Sequence, residues 1–95
     1  MPAVTRLGDL CSGHGCWPPR PSITASSNVL VNGKGAVRLN DQYAVHCCKS
    51  KCHDGLLAMG SGTVFVNGRS LGRIGDPVNC GSVVAQASSN VFAGG

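Results

Sequence analysis

A repeat that is divided between the two ends of the chain constrains the fold more than any other feature of this sequence. Residues 28–41 (NVLVNGKGAVRLND) align without a gap with residues 63–76 (TVFVNGRSLGRIGD). The second half of the same unit recurs at residues 3–9 (AVTRLGD), and its first half recurs at residues 90–94 (NVFAG). Three units predict a pseudo-threefold arrangement in which the first and last strands pair and close a ring, because closure removes exposed strand edges.

Each complete unit has the sequence of a β-hairpin. The triplets Val29-Leu30-Val31 and Val64-Phe65-Val66 favour strands. The dipeptides Asn32-Gly33 and Asn67-Gly68 follow them and suit type I′ turns. We expect the second strand of each hairpin to contain the Arg-Leu or Arg-Ile pair that precedes the final aspartate. The 14 glycines and the low charged content of 13% also favour short strands and tight turns over helices.

The chain length sets the number of domains. Ninety-five residues are too few for two independent cores, so we expect a single domain over residues 1–95. A core of this size is marginal, and small domains often gain further stability from a metal ion, from disulfides or from a partner. The sequence therefore predicts an all-β domain that depends on one of these additions.

An arginine lies three residues before an aspartate in each unit: Arg6 and Asp9, Arg38 and Asp41, Arg73 and Asp76. The planar guanidinium group matches a carboxylate through two parallel hydrogen bonds. We expect each pair to fix the turn between them and not to bind a ligand.

Potential metal ligands follow the aspartate of each unit. His14 and His46 each lie five residues after such an aspartate, and Cys80 lies four residues after the third. A threefold arrangement would bring these side chains together, and His53 is the only other histidine in the chain. Three imidazoles and one thiolate suit a closed tetrahedral zinc site, and iron also accepts imidazole. The sequence thus predicts one ion, zinc or iron, bound by His14, His46, His53 and Cys80.

Five further cysteines have several possible roles: Cys11, Cys16, Cys47, Cys48 and Cys52. They could pack in the core, or form disulfides after the chain leaves a reducing compartment. A rival metal site consists of Cys47, Cys48, Cys52 and His53, although its spacing lacks the paired C-x2-C of a zinc ribbon. Cysteine–histidine catalysis is disfavoured, because the sequence shows no orienting third group and no oxyanion hole. We therefore expect no enzymatic activity.

The charge pattern and the N-terminus bear on nucleic-acid binding and on the route of export. The formal charge is +4, but only Lys49 and Lys51 lie close together, and no basic run alternates with aromatic residues. Nucleic-acid binding is therefore weakly indicated. The first ten residues lack the apolar segment of a signal peptide, and no stretch approaches membrane-spanning length. We expect synthesis in the cytoplasm without a cleaved signal.

These motifs together resemble the PAAR-repeat proteins, which tip the spike of type VI secretion systems and of related contractile phage tails. The matching segments cover nearly the whole chain. They are GSGTVFVNG at 60–68, the three boxes AVTRLGD, GAVRLND and SLGRIGD, the GHG at 13–15, the VHCC and CHDG segments, and DPVNCGS at 76–82.

The resemblance implies a fold, a metal site and a function. The fold is a short cone of β-hairpins with pseudo-threefold symmetry and a metal ion near its apex. By motif position the implied ligands are His14, His46, His53 and Cys80, the set that the spacing also indicates. The implied function is structural: the chain caps a trimeric β-helix, one copy per trimer, and sharpens it for membrane puncture. That β-helix is VgrG in a secretion system or the central spike protein in a phage.

The resemblance also implies export with the contractile spike, to the extracellular space or into a target cell, and effector cargo as a further partner. Many proteins of this family carry toxin domains beyond the cone, whereas for residues 1–95 we expect no effector extension. Three other classes stay open on sequence grounds. A small zinc-binding nucleic-acid module would show salt-dependent binding, a disulfide-stapled extracellular domain would contain paired cysteines, and a metallohydrolase would need an open coordination position. Neither the identity of the cargo nor the choice between secretion system and phage tail follows from the sequence.

Overall fold

The structure, a computed structural model, describes all of residues 1–95 and contains six short strands and no helix. The strands form three antiparallel hairpins: β1 (Leu30–Val31) with β2 (Lys34–Gly35), β3 (Gln42–Cys48) with β4 (Lys51–Leu56), and β5 (Phe65–Val66) with β6 (Arg69–Ser70). The predicted all-β class is confirmed. None of the chain has the helical length and hydropathy that a membrane span needs.

Two of these hairpins turn at the predicted Asn-Gly dipeptides. Asn32 and Asn67 have φ angles of 53° and 54°, and the glycines that follow have φ angles of 78° and 76°. A type I′ turn requires two consecutive residues with positive φ, which asparagine and glycine tolerate best. The repeat therefore forms the same tight turn twice, once in each complete unit.

The second strand of each repeat hairpin is shorter and earlier in the chain than the sequence predicted. β2 and β6 end at Gly35 and Ser70, before the arginine of each unit. Arg38 instead forms an isolated antiparallel bridge with Leu71 of the next unit. The prediction placed Arg38 inside a hairpin and was wrong, because the arginine segments pair between units and not within them.

Backbone hydrogen bonds join the three units in a closed cycle. The N–H of Thr5 donates to the carbonyl of Gly72, the N–H of Gly72 to that of Val37, and the N–H of Val37 to that of Thr5, at 3.2, 2.8 and 3.3 Å. Each of these residues directly precedes the arginine of its unit. Equivalent positions of the repeat thus contact one another around a ring.

The two ends of the chain complete the third unit. Ala3 forms an antiparallel bridge with Phe92, and the N–H of Ala93 donates to the carbonyl of Pro2 at 3.0 Å. The predicted pairing of the first and last strands is therefore confirmed. The molecule measures 38 × 23 × 23 Å along its principal axes. Pseudo-threefold symmetry and a conical shape stay predictions.

The arginine–aspartate pairs form in all three units, as the repeat predicted. The backbone N–H and Nε of each arginine donate to one carboxylate oxygen, and Nη2 donates to the other. Nη1 then reaches the neighbouring unit, where its acceptors are Asn32, Asn67 and the carbonyl of Gly94. Burial alone would raise the pKa of Asp41, but hydrogen bonds from Arg38 and Thr24 outweigh burial and lower that pKa.

The buried apolar residues form two clusters. The first collects repeat positions: Val4, Val31, Ala36, Val66, Leu71 and Ala93. The second adds residues from outside the repeat: Cys11, Val37, Tyr43, Leu57, Val78 and Val84. Burial in the second cluster raises the pKa of Tyr43 above that of an ordinary phenol. Cys80 packs against the second cluster, so this part of the core supports the segment that supplies a predicted metal ligand.

Candidate metal centre

The long β3–β4 hairpin places two of the predicted ligands opposite each other. His46 on β3 pairs in register with His53 on β4, and their Nε2 atoms lie 2.7 Å apart. The hairpin is closed by a tight turn at Lys49, whose φ angle is 58°. A register shift between Tyr43 and His46 separates the histidine end of the hairpin from the part buried in the second core. Directly opposed strand positions bring side chains within contact, so both imidazoles face one point.

A narrow loop brings His14 to the same point. His14 and Trp17 exchange backbone hydrogen bonds of 3.0 and 2.9 Å. Gly13 has a φ angle of 69°, and a Cβ atom there would lie 2.5 Å from the carbonyl oxygen of Trp17, so only glycine fits this loop. The Nε2 atom of His14 lies 3.0 Å from that of His53.

Cys80 completes the group from the turn that follows the third unit. The ligand atoms of His14, His46, His53 and Cys80 all lie within 4.8 Å of one another. A glycine makes room for the thiol, because a Cβ atom on Gly55 would lie 3.0 Å from its sulfur. The structure thus brings together the four side chains that the sequence predicted from three separate segments, and the group could hold a metal ion.

The hydrogen bonds around the histidines suit metal binding. The Nδ1 atom of His46 lies 2.8 Å from the carbonyl oxygen of Pro18, so Nδ1 carries the proton and donates it. The Nε2 atom of His46 then keeps a free lone pair directed at the other ligands, which is the usual arrangement of a metal-binding histidine. His46 is only 3% exposed, and a buried lone pair needs a partner of this kind.

The pKa of His14 is also shifted in the direction that favours metal binding. Desolvation lowers the pKa of His14, and the nearby charges that His46 and His53 could carry lower it further. A lowered pKa favours the neutral imidazole, which is the form that binds metals. Three converging ring nitrogens and one thiol therefore fit the chemistry of a zinc site, in which nitrogen ligands at about 2.0–2.1 Å from the ion lie roughly 3.3 Å apart.

Trp17 covers the histidines, and the sequence analysis did not single it out. Its ring stacks at 4.9 Å from the ring of His14 and lies 5.0 Å from that of His53. The indole Nε1 donates to the carbonyl of Lys51 at 3.1 Å, which ties the loop to the hairpin. The only signal in the sequence is the position of this tryptophan three residues after His14. A lone tryptophan at that spacing does not by itself indicate a contact.

The remaining cysteines separate into two groups. Cys16 pairs with Cys48 and Cys47 pairs with Cys52 in disulfides, whereas Cys11 is buried in the second core as a free thiol. The rival metal set of Cys47, Cys48, Cys52 and His53 is therefore not assembled. Adjacent strand residues point to opposite faces, so Cys47 and Cys48 cannot both face one ion, and His53 faces the other histidines.

Comparison with known proteins places these residues in a described family. The family model with the description PAAR motif matches residues 12–86, which include all four potential ligands. Two toxins of Pseudomonas aeruginosa, the NAD(P)(+) glycohydrolase toxin Tse6 and the (p)ppApp synthetase toxin Tas1, are each 33% identical to the chain over 79 residues. Each match covers 77% of this chain and 18% of the toxin. The chain thus spans less than a fifth of the length of the curated relatives it matches.

Proposed function

The chain belongs to the PAAR-motif family, and from this premise we propose that it tips the spike of a type VI secretion system. In this proposal it caps the end of a trimeric β-helix of the VgrG type, with one copy per trimer, and sharpens the assembly that punctures a target membrane. It acts as a structural part and not as an enzyme. One observation supports the proposal most directly. Each of the three units exposes one large apolar side chain at the same position of the repeat.

These side chains occupy one position of the repeat. Leu30, Phe65 and Phe92 are 60%, 57% and 51% exposed. We call these three residues the apolar face. The residue that follows each of them is buried in the first core: Val31, Val66 and Ala93. Large apolar side chains exposed at three equivalent positions favour contact with another protein, because burial contributes roughly 25 cal/mol per Å² of apolar surface.

The repetition also supports the proposed stoichiometry. A single chain with three equivalent apolar residues can offer one to each subunit of a trimer. Short strands at this face also have backbone groups that could extend the sheet edges of a β-helix. Three separate chains on one trimer would leave two thirds of these positions without an equivalent partner site.

We propose that the His14, His46, His53 and Cys80 group holds one structural ion, zinc or iron. When bound, such an ion supplies a cross-link between segments and stabilises the folded state. The chain's own contribution is to fix the ligands: the Pro18 carbonyl orients His46, and Trp17 packs over the other two imidazoles. Four protein ligands would leave no open position for a substrate, which separates this site from that of a metallohydrolase.

The names of the relatives indicate the kind of cargo that such a spike tip would accompany. Both carry the name of a toxin, and a toxin is the kind of cargo that a secretion system delivers. The chain aligns with only 18% of each toxin, so their named activities are not transferred to it. We propose that the chain leaves the cell with the spike, reaches the extracellular space or the target cell, and travels with effector cargo of this kind.

Native mass spectrometry with a purified trimeric VgrG-type protein tests the proposal. We expect one chain per trimer, and we expect Phe65→Ser combined with Phe92→Ser to abolish the complex. Val45→Ser is the matched control, because Val45 is also apolar and 50% exposed but lies outside the apolar face. A complex with three chains per trimer, or full binding by the double variant, would contradict the proposal.

A further inference from the structure

Both disulfides of the structure lie at the metal centre. Cys47 and Cys52 are directly opposed in the β3–β4 hairpin, one position beyond the His46 and His53 pair, with Cα atoms 4.1 Å apart. The second disulfide joins two segments that are distant in sequence. Cys16, two residues after His14, is bonded to Cys48, two residues after His46, with Cα atoms 5.4 Å apart.

The two bonds together connect all three histidine segments and omit the cysteine of the cluster. The loop that carries His14 is tied to β3, and β3 is tied to β4. Cys80 stays a free thiol, as a metal ligand must. The only other free cysteine, Cys11, is 1% exposed and cannot compete for a disulfide partner.

We infer that oxidation of these four cysteines locks the metal centre, so that an ion loaded into the reduced protein is released more slowly once the disulfides have formed. This inference rests on the proposed metal centre. Cytosolic thiols are normally kept reduced, whereas disulfides persist outside the cytoplasm. The spike tip would then load its ion as a thiol form and meet the target as a disulfide form.

Each disulfide forms by exchange with a small-molecule disulfide such as oxidised glutathione. The thiolate of one cysteine attacks a sulfur of the oxidant, a mixed disulfide forms, and one glutathione leaves as a thiol. The second cysteine attacks the protein sulfur of the mixed disulfide and releases the second glutathione thiol. Two protein thiols are oxidised, the two sulfurs of the oxidant are reduced, and the two protons end on the released glutathiones.

The two disulfides should contribute unequally to the slower release of the ion. The His14 loop is exposed at Gly15 and Cys16. Its side-chain hydrogen bonds to the hairpin come from Trp17, from the Pro18 carbonyl and from the His14 imidazole. The bond from Cys16 to Cys48 closes a separation of 32 residues, whereas the bond from Cys47 to Cys52 closes a separation of 5 within strands already paired. Since a longer closed loop restricts the opened chain more, the first bond carries most of the locking.

Metal release into an excess of the chromophoric chelator pyridylazoresorcinol tests the inference. The full chain is loaded with zinc under a phosphine reductant, the reductant is removed by gel filtration without air, and half of the protein is then oxidised with oxidised glutathione. We expect zinc at one ion per chain in both samples, the loss of four hydrogens from the intact mass on oxidation, and release about tenfold slower from the oxidised sample. Cys16→Ser should remove most of this difference, and Cys47→Ser should remove only a small part.

The outcomes separate the lock from the metal centre itself. Zinc bound at one ion per chain but released at the same rate before and after oxidation overturns the lock and leaves the metal centre in place. Six thiols that persist in oxidised glutathione also overturn the lock. A reduced wild-type protein that binds no zinc overturns the metal centre, and the lock with it. The reduced and oxidised wild-type proteins alone decide whether the lock exists. The test therefore stays decisive even if the Cys16→Ser variant does not fold.

Discussion

The ring of repeated units and the metal centre are stabilised in different ways. The ring is formed by contacts that occur three times: a backbone cycle through Thr5, Val37 and Gly72, an arginine–aspartate pair in each unit, and the first core cluster. The metal centre is formed once, from a loop, a hairpin and a turn, and most residues of β4 are not buried. Four potential ligand atoms converge there.

This difference indicates which of the two regions depends on components of the solution. Apolar packing and ion pairs of the ring form without any added component, whereas the proposed metal centre would need an ion, and the proposed lock would need an oxidant. We therefore expect substitutions in the two regions to differ in kind. Ring substitutions should lower stability without changing metal content, and substitutions at the metal centre should change both.

The largest expected effect comes from removing a ligand. His46→Ala and Cys80→Ala should each reduce the metal content from one ion per chain to nearly none. The melting temperature should fall by roughly 40 °C or more, because structural zinc contributes on the order of 10 kcal/mol and each kcal/mol shifts melting by about 4–8 °C. Elemental analysis and thermal melting measure the two effects.

The control for this prediction is Lys51→Ala. Lys51 lies beside the site but contributes only its backbone carbonyl, so the variant should keep its ion. If both ligand variants retained one ion per chain, the assignment of these residues as ligands would be wrong.

A smaller effect is expected when an ion pair of the ring is broken. Asp41→Asn removes the negative charge beside Arg38 and Arg69, and it can place an NH2 donor where Oδ2 accepted from the backbone N–H and Nε of Arg38. Removing one partner of a buried pair destabilises a protein by about 3–5 kcal/mol. Urea unfolding measures the loss, and the metal content should not change. Asp54→Asn is the control, since exposed Asp54 accepts only from Gln42 and should lose less than about 0.5 kcal/mol.

Acid should weaken the same ion pair by a smaller amount. Because the pKa of Asp41 is lower in the folded chain than its ordinary value of 3.8, the unfolded chain binds a proton more readily as the pH falls. The stability that Asp41 contributes is therefore complete above that ordinary value and is lost as the pH falls below it toward the folded pKa. Urea unfolding of metal-free protein between neutral and acid pH should show this loss, and it should be weaker in Asp41→Asn. An identical pH dependence in the two proteins would refute the linkage.

The repeat made the ring predictable, because each of its interactions is encoded by local sequence. Asn-Gly specifies the turn, Arg-x-x-Asp specifies the ion pair, and the divided unit specifies the pairing of the ends. The strand boundaries were less predictable, since the local sequence does not tell whether the Arg38 segment pairs within its own hairpin or with the neighbouring unit. Tertiary pairing with Leu71 decides between them, and no local pattern records it.

The grouping of the four potential ligands was predictable from the sequence, whereas the contacts that support them were not. The spacing after each aspartate indicated His14, His46 and Cys80, and the structure groups them with His53. The longest hairpin, β3 with β4, escaped the sequence analysis because its cysteines, histidines and charged residues hide any apolar alternation. The Pro18 carbonyl that orients His46 was equally hidden, since a backbone acceptor has no sequence signature.

The smallest expected effect concerns the tryptophan that covers the histidines. Trp17→Phe keeps an aromatic ring over His14 but loses the hydrogen bond to the Lys51 carbonyl, a net change of about 1 kcal/mol. Trp17→Leu also loses the stacking, which adds about 0.5–1.5 kcal/mol. We expect one ion per chain in both variants, with metal release accelerated about fivefold in the first and more in the second.

This last measurement sharpens the contrast between the two regions. Faster release with unchanged metal content would show that the contacts around the ligands retain the ion, while the four ligands determine whether it binds. Unchanged release in Trp17→Leu would mean that the aromatic cover contributes nothing, and the ligands with their disulfides would hold this region alone. A complete loss of the ion in Trp17→Leu would make the tryptophan part of the binding site itself, and the metal centre would then depend on packing as the ring does.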